Sequence, residues 1–180
     1  SFGGVMGAST DTWRINALGS YESGDDTRFP SGTIAASAFE RGVYGLSAGV
    51  RTGEHEFSLD VRRQNTGPSG NPPFPMDMIY FDTDFAKAGY KGSWGDVGLV
   101  ASLGYADVAH LMDNYSLRPI PAAAQQRDAF ATATTRSASL AATLPALGGD
   151  ISLGLDGEEI DRNVTITNPT RSEEHTSELQ

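Results

Sequence analysis

Apolar and polar residues alternate with a period of two along most of this chain. Residues 13–23 set Trp13, Ile15, Ala17, Gly19 and Tyr21 against Arg14, Asn16, Leu18, Ser20 and Glu22. Residues 39–51 set Tyr44, Leu46, Ala48 and Val50 against Gly45, Ser47, Gly49 and Arg51, and residues 55–64 set Phe57, Leu59 and Val61 against Glu56, Ser58, Asp60 and Arg62. The same alternation runs through 97–110 (Leu99, Ala101, Leu103, Tyr105), 130–144 (Ala138, Leu140, Ala142, Leu144) and 150–160 (Ile151, Leu153, Leu155), and less regularly through 77–92 (Tyr80, Phe81, Phe85, Tyr90). Successive side chains of an extended backbone point to opposite faces, so each of these runs predicts a strand with two unlike faces. Most windows of helical period are broken by Gly, Pro or β-branched residues; only 122–131 has room for a turn or two of helix, inside a loop.

The connections carry as much information as the strands. Residues 9–12, 52–54, 93–96 and 145–149 are short, whereas 24–38, 65–76 and 111–129 are long, and the two kinds alternate along the chain. An up-and-down antiparallel sheet with tight turns at one rim and long loops at the other gives that order. It is the asymmetry of outer-membrane barrels, whose strands are also long and tilted. The apolar faces are modest, built of Ala, Leu and Val with aromatics near their ends, and the other faces carry Gly, Ser, Thr and isolated charges. Small apolar residues toward lipid and a wet polar lumen fit a large barrel; a soluble secreted β-sandwich, the alternative, needs a solidly apolar inner face. The two predict opposite fates for Leu46, Leu59, Leu99, Leu140 and Leu153, which turn outward to lipid in a barrel and into a core in a sandwich.

Composition narrows the function classes. The chain has no Cys, which removes thiolate metal sites and catalytic Cys from these 180 residues, and its formal charge of −10 comes without a basic cluster. Phosphate contact needs Lys and Arg gathered on one face, so no nucleic-acid partner is expected. No apolar run approaches the ~20 residues of a spanning helix, which has no bearing on a membrane β-barrel. No nucleophile elbow, zinc-protease motif or phosphate-binding loop occurs, so no enzyme is expected.

Composition changes abruptly at 171–180, RSEEHTSELQ. That string is the in-frame translation of AGATCGGAAGAGCACACGTCTGAACTCCAG, a run resembling a sequencing-library adapter. Residues 1–170 are therefore expected to form the barrel piece and 171–180 to lie outside the fold, with the natural chain continuing past Thr170.

Two stretches resemble TonB-dependent outer-membrane receptors: 65–82, NTGPSGNPPFPMDMIYFD, which looks like an external loop entering a strand, and 109–118, AHLMDNYSLR, which is similar to a segment of several such receptors, the copper type among them. The resemblance implies a wall segment of seven or eight strands from a 22-stranded barrel in the outer membrane of a Gram-negative-type bacterium. It also implies a plug, further strands and a TonB complex as partners, with a copper ion or an iron chelate as transported cargo rather than a resident cofactor. Neither a plug nor a TonB-box is recognisable in these residues. An isolated segment is expected to be an open half-barrel needing detergent, because open sheet edges are not tolerated in lipid.

Candidate site residues follow. His110 and Met112, two apart on one strand face, present an imidazole and a thioether, and in copper-type receptors a matching His-x-Met supplies two metal ligands from the barrel wall. Against this stands a plain role for His110 as a polar lumen residue and Met112 as a rim hydrophobe. Asp82 and Asp84 share a face and read either as a cation or acid–base pair or as lumen-lining charges that meet Arg or Lys on adjacent strands. Tyr115 and Arg118 lie in a long loop, where they either contact an anionic ligand or hold the loop together.

Overall fold

A computed structural model describes residues 1–119 and 121–169, and the backbone alone of 171–177. The strands are β1 (Phe2–Ser9), β2 (Trp13–Gly24), β3 (Arg28–Phe29), β4 (Gly32–Thr33), β5 (Phe39–Thr52), β6 (His55–Thr66), β7 (Asp77–Trp94), β8 (Val97–Asp113), β9 (Asp128–Ala146), β10 (Gly149–Asn168) and β11 (Arg171–Ser177). Nine of them form one antiparallel sheet in the order β1-β2-β5-β6-β7-β8-β9-β10-β11, and β3 and β4 make a small hairpin within the first long loop. Every main strand lies beside its chain neighbour, the up-and-down order expected from the alternation of short and long connections. Among the described residues the sheet does not close: β1 and β11 each have one partner, and β10 from Gly149 to Asn163 pairs with β9 alone.

Two-residue turns set the register of three of the four tight connections at one end, Thr52–His55, Trp94–Val97 and Ala146–Gly149. Gly53 and Gly95 adopt positive φ, and in the β9–β10 turn both Leu147 (φ 52°) and Gly148 (φ 80°) do so. Two consecutive left-handed residues match the right-handed twist of the flanking strands, although Leu147 pays the steric cost of a Cβ in that region. At the other end the strands run further than the alternation predicted: β7 to β10 reach 17–20 residues. The stretch 122–131 contributes only the 3-10 turn Ala123–Gln125.

Cross-strand register defines the two faces. Ile15, Ala48, Leu59, Ala88, Leu103 and Ala138 lie in one row, and Trp13, Val50, Phe57, Tyr90, Ala101, Leu140 and Leu155 in the next. Among the described residues no hydrophobic side chain is buried, and Leu46, Leu59, Leu140 and Leu153 are 53%, 51%, 52% and 66% exposed; Leu99 is partly exposed. A sandwich would bury these leucines between sheets, so that alternative is excluded. The opposite face is polar and small: Asn16–Ser47, Ser102–Ser139 and Thr143–Ser152 hydrogen bonds cross it, and Glu56 takes both Arg14 (2.5 Å) and Arg51 (3.1 Å).

The apolar face changes character along the strands. On β8 it holds Val97, Leu99, Ala101, Leu103 and Tyr105, about 27 Å of extended chain. Beyond that band the same face turns charged. Arg63 lies opposite Asp84, Asp84 opposite Asp107, and Arg136 lies within 3.4 Å of both Glu159 and Asp161. Aromatic residues mark the two limits, Tyr44 and Tyr105 toward the loops, Trp13, Phe57, Tyr90 and Trp94 toward the turns. At the turn limit the Tyr90 hydroxyl is bonded to His55 Nδ1 (2.8 Å) and accepts from Trp94 Nε1 (2.7 Å).

The run 171–177, expected to lie outside the fold, extends as β11 against the end of β10. An edge strand offers unpaired N–H and C=O groups to any extended segment that follows it through a turn; this pairing is made by backbone. Residues 178–180 of that tail lie outside the described residues.

Candidate functional site

The long loops gather beyond the charged belt and are tied to one another. Gly67 N–H donates to Glu40 O and Gly70 N–H to Ala38 O, joining the second loop to the first. Asp26 Oδ1 accepts from the backbone of Ser37 (2.8 Å) and Ala38 (2.9 Å) and closes the first loop on itself. The third loop is fastened to the second by Arg118, whose Nε lies 2.6 Å from Asp77 Oδ2 while Nη2 engages Asp77 Oδ1 and Nη1 donates to Phe74 O at 2.9 Å.

A row of three aspartates lies beneath these loops. Asp77, Asp113 and Asp128 are direct cross-strand partners on β7, β8 and β9. Asp77 is fully buried and Asp113 nearly so, and like charges that close would repel unless each is partnered. Each has its own donors. Asp77 takes the guanidinium fork of Arg118 and the Asn71 N–H (2.8 Å). Asp113 accepts from the backbone of Tyr115 (3.1 Å) and Ser116 (2.9 Å) and from the Ser116 hydroxyl. Asp128 accepts the Tyr115 hydroxyl at 2.7 Å. The Arg118 hydrogen bond holds the Asp77 carboxyl below the usual carboxylate range and raises Arg118 in turn, while the bond to Asp128 pushes the Tyr115 phenol up to about 12. Tyr115 and Arg118 thus spend their polar atoms inside the loop cluster.

Asp82 and Asp84 share a face, as their spacing requires, and both approach Arg63, at 3.6 and 3.2 Å. Their expected place on the polar, lumenal side is corrected by the register. They sit on the face that carries the apolar band, beyond its edge, because β6 and β7 overshoot the band. Arg62 and Arg63 point to opposite faces.

His110 and Met112 share the polar face at the loop end of β8. His110 lies opposite Phe81, their rings stacked at 5.4 Å and 14°, and its imidazole makes no hydrogen bond among the described residues. On the β9 side their partners are the small residues Ala131 and Ala129. Opposite Met112 on β7 stands Met78, just before the bulge at Ile79. The Met78 backbone is pinned by two hydrogen bonds to Ser69 (2.8 and 3.0 Å). Met78 and Phe81 line a cleft of about 410 Å³. Met78, Asp77, Asp113 and Asp128 were missed in the sequence reading. The signal for Met78 was its position one residue after the Pro-Met-Asp run, but pairing across strands depends on a bulge that alternation does not encode. Among the described residues no group of three or more His, Asp or Glu side chains is arranged to hold a metal ion.

An open antiparallel sheet, one face apolar and the other polar, with tight turns at one rim and stitched loops at the other, fits one architecture. The sheet is a partial β-barrel. It is similar to the solved structure "Copper transporter OprC", with a TM-score of 0.77 over 89% of this chain at 18% identity. The chain spans 26% of that structure's length. No protein-family model matches the sequence, and no curated protein matches it.

Proposed function

We propose that this chain is a wall segment of an outer-membrane receptor that takes up a metal or metal chelate by TonB-dependent transport. The observation that carries the reading is the uncharged apolar band. At the usual strand tilt, 27 Å of strand rises about 20 Å, close to the lipid-facing belt of outer-membrane barrels. Outer-membrane lipid would cover that face and the polar face would line the lumen. The free edges of β1 and β10 would pair with further strands of a larger barrel, since lipid tolerates no unpaired edge. A plug in the lumen and a TonB complex at the turn side are the partners the reading requires for energy-coupled import.

His110 and Met112 are the wall's candidate metal ligands, and copper is favoured over an iron chelate because imidazole and thioether suit copper and not ferric iron. The likeness to a copper transporter's fold supports the same choice. Tyr115 and Arg118 fit loop construction better than ligand capture, because their polar atoms are already engaged. Calorimetry on the full chain in detergent micelles tests the cargo. Copper should bind, binding should fall with His110→Ala, and a ferric chelate should give no heat; no copper binding, or binding indifferent to His110→Ala, would refute the metal assignment.

A further inference from the structure

Aromatic rings at the limit of an apolar band mark a membrane interface. Those at the turn-side limit of this band are also joined by hydrogen bonds. Phe57 and Tyr90 are direct cross-strand partners with ring centroids 5.1 Å apart, and His55 and Trp94 lie on the same face, two and four residues along their strands. The His55 and Trp94 rings are 5.1 Å apart. An indole N–H can only donate, so Trp94 Nε1 donates to the Tyr90 hydroxyl at 2.7 Å. The single proton of that hydroxyl is then directed at His55 Nδ1, 2.8 Å away. In the neutral imidazole the ring proton therefore sits on Nε2, a donor that makes no hydrogen bond among the described residues. Gly92 makes room for this relay. It is buried although it lies near the rim, and a Cβ there would fall 2.5 Å from His55 Nδ1 and 2.6 Å from the Tyr90 hydroxyl. The charges around the donor are one-sided. Glu54 and Asp96, in the turns next to His55 and Trp94, are exposed and enter no ion pair among the described residues. The nearest cations, Arg51 and Lys91, belong to the opposite, polar face.

We propose that this rim binds the headgroup of a zwitterionic phospholipid bearing a primary amine. The phosphate accepts from His55 Nε2–H, and the ammonium pairs with the carboxylate of Glu54 or Asp96. The proposal rests on the reading that the apolar face meets lipid, and it adds the headgroup that the turn-side edge selects. A purely anionic headgroup would meet two carboxylates and no cation on this face, so its net charge is disfavoured. A primary ammonium can donate charge-assisted hydrogen bonds to a carboxylate, which a quaternary one cannot. Phe57 and Trp94, 51% and 65% exposed, offer ring faces to the glycerol and upper acyl region of the same lipid.

Solid-state NMR of the full chain in vesicles tests this. With histidine labelled in 15N, lipid 31P should dephase the His55 Nε2 signal in vesicles rich in phosphatidylethanolamine, and much less in vesicles of phosphatidylglycerol alone. The chain has three histidines, and His55→Gln identifies the signal by its loss. Tyr90→Phe keeps the ring and removes the relay, and Gly92→Ala forces it apart; each should abolish the dephasing. No dephasing at His55, with Leu59 still receiving magnetisation from acyl-chain protons, would overturn this proposal and leave the lipid-facing reading standing. If Leu59 receives none either, both fall. Equal dephasing in phosphatidylglycerol alone would overturn the amine-bearing headgroup, and dephasing unchanged in Tyr90→Phe would overturn the relay's part in aiming the donor.

Discussion

The two ends of this sheet are held by different physics. At the turn end, register comes chiefly from three two-residue turns, and the charged side chains there, Arg14, Arg51 and Glu56, are solvent-accessible. At the loop end, connections of ten or more residues set no register, and side-chain hydrogen bonds to three carboxylates, two of them buried, do the work. Asp77, Asp113 and Asp128 sit in one row, each consumed by donors from the loops above. A short turn needs little more than the right backbone angles. A long loop must have its ordering entropy offset by specific contacts, and this chain concentrates those contacts on three carboxylates.

The largest expected effect is therefore at the loop end. Arg118→Met leaves the Asp77 carboxylate buried without its partner, a change that costs about 3 kcal/mol for buried pairs. Amide exchange in 67–76 and 114–119 should accelerate accordingly, with little change in β1 to β5. Arg63→Met, which breaks the exposed contacts to Asp82 and Asp84, should cost no more than about 0.5–1 kcal/mol. Comparable losses would erase the distinction between buried fasteners and surface pairs.

Acid separates the same regions. The Asp77 carboxyl is held below its ordinary value, so its contribution is fully present above the unfolded carboxylate pKa of about 3.9 and is lost as pH falls through the lower folded value. Exchange at the loop end should rise only below about pH 4, and Asp77→Asn should remove that dependence while slowing nothing at neutral pH.

Between the two ends lies the apolar band. Leu59→Arg, inserted into bilayers, should cost about 2 kcal/mol or more, whereas Ser58→Arg, one residue away on the polar face, should cost close to nothing. Comparable costs at the two positions would mean that the faces do not meet different media. At the turn end the change is expected to be stabilising. Leu147 is fully exposed with φ 52°, so Leu147→Gly should stabilise the β9–β10 hairpin by about 1 kcal/mol by relieving left-handed strain. Denaturant unfolding of the two chains in detergent would measure it, and a loss of stability would show that the Leu147 side chain has a contact that matters.

The sheet was legible in the sequence because alternation and connection length report it directly. The faces of Leu46, Leu59 and Leu153, the strand order and the asymmetry of the two rims all follow from period two and from where Gly and Pro fall. The strands' extra length toward the loops was not legible. There the apolar face becomes charged through Arg63, Asp84, Asp107 and Arg136, so alternation of hydrophobicity stops while the backbone continues. Asp82 and Asp84 were assigned to the wrong face for that reason. Of the candidate site, His110 and Met112 were visible as an i, i+2 pair, but Met78 was not, since its alignment with Met112 depends on the bulge at Ile79. The roles of Asp77 and Asp128 were hidden because their donors are remote in sequence, Arg118 for Asp77 and Tyr115 for Asp128, while Asp113 takes its donors from the turn that follows it.

The central claim is that one face of this sheet meets lipid and the other does not. Trp13 and Trp94 are the natural tryptophans; with both changed to Phe, a single reporter placed by Leu59→Trp or by Ser58→Trp can be read in bilayers containing phospholipid brominated on the acyl chain. The Leu59→Trp reporter should be strongly quenched and the Ser58→Trp reporter nearly unaffected. Equal quenching of the two, or quenching of Ser58→Trp alone, would contradict the account.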